Sequence, residues 1–400
     1  MWFKIFYLIY IVVAYLFSTV SVFGPVSIRH IVMVVMLVVC VSKGIRWDKY
    51  MTLFTVFLFF FGLSSIITGF AGQFINKFIG TYLQAYVMFF ATYIMIKKYN
   101  GEMWLYYFFL VFGLLDALVT IGQFYNIGFA DRIIEFLGIT FEEEYVSKME
   151  SLDIRTGYSL YGLVGTVRNG YFLSAIAVLS LYNKEGRIAI SNWVVWVVVM
   201  TASLFSQQRT GFFVATLLSF IVIVSTISVR TKKTGWIIAL VFVLVALFFL
   251  PMGVDALQGS DLRFSKEVDF EGERFVLART GWNYFLNNPL GAYYEYEASG
   301  YPYPHNVFVS MFLVGGLFGG VAILISFLKQ LVVLAKYYLK SLRLHKITLA
   351  AIFALMFWAY SMSSFTHNMS VVFGTFEFFI FWGAFEALHY KEANNDCSKA

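Results

Sequence analysis

A few short stretches of this chain carry side chains able to do chemistry. Ser206-Gln207-Gln208-Arg209-Thr210-Gly211 pins an arginine in a very short turn between two apolar runs, where a charge is costly unless paired and marks a functional position. Arg168 and Asn169 lie just inside another apolar run. Arg274 and Arg279 stand in a polar segment; their spacing turns them about 140° apart on a helix, so they cannot share one face. Tyr301-Pro302-Tyr303-Pro304-His305-Asn306 opens a further apolar run. His305 is near water yet walled by apolar chain, which suits a general base of near-neutral pKa. It equally suits a histidine that anchors a helix at an interface, and position alone favours the anchor.

Arginine forks match phosphate geometry, and charge-assisted hydrogen bonds are worth about 1.5–3 kcal/mol each. The chain has no Cys/His metal spacing and no G-x-x-x-x-G-K-[ST] loop. Outward arginines around one histidine therefore point to an anionic, lipid-borne substrate that carries its own driving force, with no cofactor.

The elements that must position these residues follow from composition. Of 400 residues, 60% are hydrophobic and 13% charged, against about 45–50% and 25% in soluble domains. Soluble classes are excluded, and five prolines without a low-complexity tract exclude disordered and fibrous ones. Apolar runs at 5–23, 26–42, 51–69, 78–96, 103–125, 160–182, 190–207, 210–229, 235–252, 304–328, 347–366 and 369–388 predict an all-α polytopic membrane protein of about twelve transmembrane helices. The first run reads as a retained span, since no small-residue cleavage site follows it. An N-terminus in the cytoplasm puts most of the 29 lysines and arginines on the inside, so both termini are expected there. The net charge of +6 is then a topology signal and does not imply nucleic acid. Cys40 and Cys397 suggest neither a disulfide nor a metal site.

The expected organisation is N-terminal helices over 1–125, an external loop over 126–159 and helices with the Arg209 turn over 160–252. A long external loop over 253–303 and C-terminal helices with a cytoplasmic tail over 304–400 complete it. In the long loop, Phe275, Ala278, Trp282 and Phe285 recur at helical spacing and predict an amphipathic helix ending near Asn287, before Pro289 and Gly291. His305 is expected on the first turn of the next span, where Pro304 is tolerated. Gly315, Gly316, Gly319 and Gly320 form overlapping small-xxx-small pairs that permit close helix approach. Asp116, within a span, is available to neutralise an arginine, and Glu377 also falls within one. Glu386 reads as a snorkelling side chain and Glu142-Glu143-Glu144 as a solvated loop face. Tyr293, Tyr294, Tyr296, Tyr301 and Tyr303 crowd the approach to His305, as sugar contacts or as interface belt residues.

Four pieces in order resemble the O-antigen ligase and polymerase superfamily of bacterial membrane glycosyltransferases. Gly165-Thr166-Val167-Arg168-Asn169 is similar to its Gly-Thr-x-x-Asn segment. Ser206 to Gly211 is similar to its Ser-x-Ser-Arg-Thr-Gly turn, with Gln208 in place of the second serine. Arg274 stands fifteen residues before Pro289 as the family's loop arginine stands before its Asn-Pro-Leu-x-Gly segment, and Pro304-His305-Asn306 followed by Gly315 and Gly319 resembles its His-Asn helix. The resemblance covers roughly residues 155–330. It implies a GT-C-like fold and metal-independent transfer of a glycan from an undecaprenyl diphosphate carrier. It implies that His305 activates the acceptor hydroxyl while Arg209 and Arg274 hold the departing diphosphate. Arg168, Arg279 and Arg155 are further phosphate contacts or structural pairs, and Tyr301, Tyr303 and Asn306 are candidate sugar contacts.

The leading expectation is a repeat-unit polymerase in the bacterial inner membrane, with a chain-length regulator and a flippase as partners beside the carrier-linked glycan and the bilayer. A ligase acting on a lipid A core sugar is the sister reading. A small-solute transporter is the reading from another class, lowered by the lack of an evident inverted repeat.

Overall fold

The computed structural model describes residues 1–16, 21–23, 26–45, 47, 49–125, 127–136, 162–164, 166–182, 188–206, 208–228, 273–301, 304, 306–344, 347–363 and 376–397. They form an almost wholly helical protein. In chain order the helices are α1 (Trp2–Leu16), α2 (Ile28–Lys43), α3 (Lys49–Ile67), α4 (Ala71–Lys77), α5 (Leu83–Tyr99), α6 (Glu102–Phe124), α7 (Gly128–Phe136), α8 (Thr166–Ser180), α9 (Ile190–Phe205), α10 (Arg209–Ser228), α11 (Glu273–Asn287), α12 (Tyr293–Ala298), α13 (Val307–Leu344), α14 (Leu349–Ser363) and α15 (Phe376–Cys397). One feature departs from the all-helical expectation: a small antiparallel pair, β1 (Ser21–Phe23) and β2 (Val26–Ser27), links α1 to α2. The 235–252 run, the acidic segment Glu142-Glu143-Glu144 and Arg155 lie outside the described residues.

Among the described residues four helical stretches are long and apolar enough to cross a membrane: Lys49–Ile67, Ala71–Tyr99, Glu102–Phe124 and Val307–Lys336. The second is continuous because a π-helical turn, Phe78–Tyr82, joins α4 to α5. Shorter apolar helices, among them α1, α9 and α14, pack with these. The chain is a multi-pass membrane protein.

Lipid tails are as apolar as leucine, so association of such helices rests on packing rather than on escape from water. The middle of the bundle shows it. α5, α8, α14 and α15 are buried along most of their length, and α14 packs against both α8 and α15. Aromatic rings fill the joints, as in Phe357–Phe378 at 4.7 Å, Phe54–Phe379 at 4.9 Å and Tyr50–Trp382 at 5.8 Å. Outer helices turn Val34, Val38, Phe59 and Val194 outward, which accounts for much of the apolar composition.

At one end of the bundle lysines tie loops together. Lys391 reaches Asn100 Oδ1 at 2.7 Å and Glu102 at 3.1 Å, Lys98 donates to the Lys43 carbonyl, and Lys97 lies 3.9 Å from the Tyr390 ring centroid. Glu386, expected to snorkel, instead accepts from Gln330 Nε2 at 3.1 Å. The other end carries the segment 273–301 and the candidate site.

Candidate functional site

The two arginine motifs meet through glycines. α8 and α10 cross where a methyl on Gly211 would stand 2.6 Å from the Gly170 carbonyl oxygen. A methyl on Gly170 would press into Gln208, lying 2.6 Å from its Cβ. No side chain fits there, so the backbone of Gly170 lies directly against that of Gly211, each two residues from an arginine. Arg209 is the first residue of α10 and Arg168 the third of α8. The Arg168 side chain is half-buried; that of Arg209 lies outside the described residues.

The start of α8 is held by the end of α6. Asp116 Oδ1 accepts the Leu163 N–H at 2.5 Å, and Gln123 Oε1 accepts that of Gly162 at 2.9 Å. Asn169 Nδ2 donates to Thr120 Oγ1 at 3.0 Å, and Thr120 donates to the Asp116 carbonyl at 2.9 Å. Gly162 has φ +52°, and a Cβ on it would meet both Asp116 and Asn169. Asp116 thus shapes the turn that leads to Arg168. Arg168 is the foremost charge acting on Glu377. The Glu377 carboxylate is fully buried; the Tyr15 and Tyr360 hydroxyls approach it, but without hydrogen-bond geometry.

The polar segment beside the site is built as expected in outline. α11 runs over Glu273–Asn287, but its buried side is Leu277, Gly281 and Phe285, with Phe275 53% exposed. The face is shifted because α11 docks at Gly281, where a methyl would meet Val309 at 3.1 Å and Pro304 at 3.3 Å. Trp282 and Phe285 flank this contact against Phe312. Arg279 is exposed, and among the described residues no ion pair or hydrogen bond joins it to Arg168. The Arg274 side chain lies outside the described residues.

After α11 the chain turns at Asn288 and docks into α13, which is broken at Gly316 (φ 62°, ψ −169°). The break frees backbone groups that the docking segment satisfies. Leu317 N–H donates to the Pro289 carbonyl at 2.8 Å, and Ala292 N–H to the Leu313 carbonyl at 2.9 Å. Ser64 of α3 donates to the Gly291 carbonyl at 2.6 Å. The glycines read from sequence as a packing motif therefore divide their tasks: Gly315 and Gly319 meet Phe57 of α3, while Gly316 receives the loop.

Tyr293, Tyr294 and Tyr296 are buried and serve as anchors rather than sugar contacts. Tyr294 stacks on Phe61 and Phe70. Lys77 donates to Tyr293 Oη at 2.5 Å. Burial, with Tyr301 and Tyr284 nearby, pushes the Tyr296 phenol up to about 12, which keeps it a neutral donor to the Leu277 carbonyl at 3.4 Å. Tyr301 is 42% exposed and stacked on Tyr296 at 5.4 Å, so its outer edge is open to a ligand. Tyr303 and His305 lie outside the described residues. Asn306 precedes α13, and its Oδ1 accepts the N–H groups of Phe308 at 3.0 Å and Val309 at 3.1 Å. It is a helix N-cap.

Sequence reasoning passed over Arg29. It is the second residue of α2, in a first turn fixed by the Ser27–His30 capping box. The available signal was a cation one turn inside an apolar run. Among the described residues no three His, Cys, Asp or Glu side chains gather to hold a metal ion. An apolar cavity of about 230 Å³ lies between α10, α13 and α14, lined by Leu218, Val222, Leu334 and Leu355 among others.

The arrangement defines a polytopic helical membrane protein with an arginine-bearing crossing at one end and a loop docked beside it. Residues 193–324 match the Wzy_C family model, described as O-antigen ligase. The match takes in the Arg209 turn, α11, the docked segment and the broken part of α13, and supports the resemblance to the O-antigen ligase and polymerase superfamily. No curated protein and no solved structure matches the chain.

Proposed function

We propose that the protein polymerises undecaprenyl-diphosphate-linked oligosaccharide repeat units into a surface polysaccharide, O-antigen or similar. The reaction is metal-independent glycosyl transfer on the external face of the bacterial inner membrane, in a GT-C-like bundle of about twelve spans. The observation that supports the reading is the Gly170–Gly211 crossing, which brings the backbone beside Arg168 close to the Arg209 turn.

Arg209, Arg274 and Arg168 hold the diphosphate, with Arg279 at the exposed rim. A hydroxyl of the acceptor sugar attacks the anomeric carbon of the donor as His305 takes its proton. The bond from that carbon to the phosphate oxygen breaks, and its electron pair leaves with the diphosphate, whose charge the arginines stabilise. Tyr301 and Tyr303 offer faces for sugar stacking. Leu218 is about 14 Å along α10 from Arg209, so the apolar cavity gives the polyprenyl chain room below its head group. The lysine-rich end of the bundle supports a cytoplasmic placement of both termini, with the site outward. A chain-length regulator and a flippase are the partners this pathway step calls for.

The family description favours a second reading, a ligase that moves the glycan to lipid A core. One experiment separates the two: purified protein incubated with a carrier-linked repeat unit alone. A ladder of longer glycans supports the polymerase. Product only after a lipid A core acceptor is added supports the ligase, and no product in either case, with solute uptake in vesicles, refutes both.

A further inference from the structure

α11 presents an apolar stripe to the outside. Phe275, Trp282 and Leu286 are 53%, 39% and 57% exposed, and their spacing puts them within about 40° of one another around the helix axis. They turn away from Leu277, Gly281 and Phe285, the side that meets the rest of the protein. Arg279 is also exposed, about 40° around the axis from Phe275, and exposed Asn283 continues that polar edge. Single exposed apolar side chains are ordinary, but a stripe of three edged by a cation marks an interaction surface.

The level at which α11 docks identifies what covers the stripe. A methyl on Gly281 would stand 3.1 Å from Val309 of α13, and the Trp282 and Phe312 rings are 5.8 Å apart. α13 carries no charged residue from Val307 to Leu328, and Lys329 ends that run. The run rises about 33 Å, close to a hydrocarbon thickness of about 30 Å, so the bilayer core begins near Val307. Val309 and Phe312 fall within its first two turns. Past α11 the chain goes deeper still, for a methyl on Gly316 would press into the Leu290 carbonyl. The stripe and Leu290, itself 41% exposed, therefore continue the outward apolar surface that α13 shows at Phe308, Leu317 and Phe318.

We propose that α11 is an interfacial helix whose outward face enters the lipid leaflet at this end of the bundle. Leu286 and Leu290 reach the acyl chains, and Trp282 sits at the head-group boundary as belt aromatics do. Arg279 extends upward to a lipid phosphate. The occupant of this face is the bilayer itself, and nothing in the placement depends on the transfer reaction.

The test is nitroxide scanning of the full chain in phosphatidylcholine–phosphatidylglycerol nanodiscs. Cys397→Ser removes the tail cysteine, and Cys40 stays buried. Phe275→Cys, Asn283→Cys, Leu286→Cys and Leu290→Cys, all at exposed positions, are made singly and spin-labelled. Oxygen concentrates among acyl chains and a nickel chelate in water, so the ratio of their relaxation effects reads depth. That ratio is expected to be several-fold higher at Leu286→Cys and Leu290→Cys than at Phe275→Cys and Asn283→Cys. Arg279→Glu sets a like charge against the phosphates and should lower the ratio at Leu286→Cys. Strong nickel collision at all four sites puts the face in water and overturns the proposal. Weak collision with both reagents means that protein, such as a second copy of the chain, covers the face, and overturns it equally. An unchanged ratio with Arg279→Glu removes the arginine from the lipid contact.

Discussion

Gly170 and Gly211 touch backbone to backbone, and this contact joins two arginine motifs that are 41 positions apart in the chain. Nothing larger than hydrogen fits at either position. Gly211→Ala is therefore expected to force α8 and α10 apart, at a cost of about 1–3 kcal/mol for overpacking. Thermal unfolding in detergent should register a lower Tm, and glycan transfer should fall further than the stability loss explains.

Gly316 carries a φ of 62° with an extended ψ, a combination that side chains rarely adopt and that costs about 1–3 kcal/mol. A methyl there would also press into the Leu290 carbonyl. Gly316→Ala should release the 289–292 segment. Thiol labelling of an Ala292→Cys variant, slow in the parent background because that position is fully buried, should accelerate when Gly316→Ala is added.

Asp116 holds the turn before α8 through the Leu163 N–H. Asp116→Ala leaves that buried donor unpaired, a loss of about 1–3 kcal/mol. Asp116→Asn keeps an acceptor oxygen and should retain more stability and activity. Equal losses in the two variants would mean that charge, not hydrogen bonding, matters at this position.

His305→Ala should reduce glycan transfer by about 10²–10⁴-fold if the imidazole is the base. Unchanged polymer length and yield in cells would remove it from the reaction. Arg209→Lys preserves charge but not the fork, and should lower turnover about tenfold.

By contrast, Lys77 and Glu297 are 3.7 Å apart with side chains 33% and 44% exposed. Solvent screens such pairs to about 0–1 kcal/mol. Glu297→Gln should leave Tm nearly unchanged, as a thermal shift comparison would reveal.

Much of the scaffold was legible in the sequence because hydropathy is a local property. The runs at 51–69 and 103–125 became α3 and α6 within a few residues. The helix ending at Asn287 was also readable, since Pro289 and Gly291 stop it. What sequence spacing could not supply was partnership across the chain. Asp116 looked like a counter-ion because its acceptor role depends on Leu163, 47 positions away. The glycines after Val314 looked like a plain packing stripe, because only the docked 289–292 segment shows why Gly316 leaves the helix. Tyr293 and Tyr294 looked available to sugars until Phe61 of α3 and Lys77 of α4 were seen beside them, and Tyr296 until α11 was seen to cover it.

The break in α13 has a further consequence. The loop is clipped there through main-chain groups of Pro289, Ala292, Leu313 and Leu317, which every residue but proline can offer at its N–H. Replacement of the side chains on the open face around Tyr301 therefore leaves the attachment intact. The molecule separates a fixed socket from an interchangeable rim, and side chains at the rim can be exchanged while the main-chain bonds hold the loop in place.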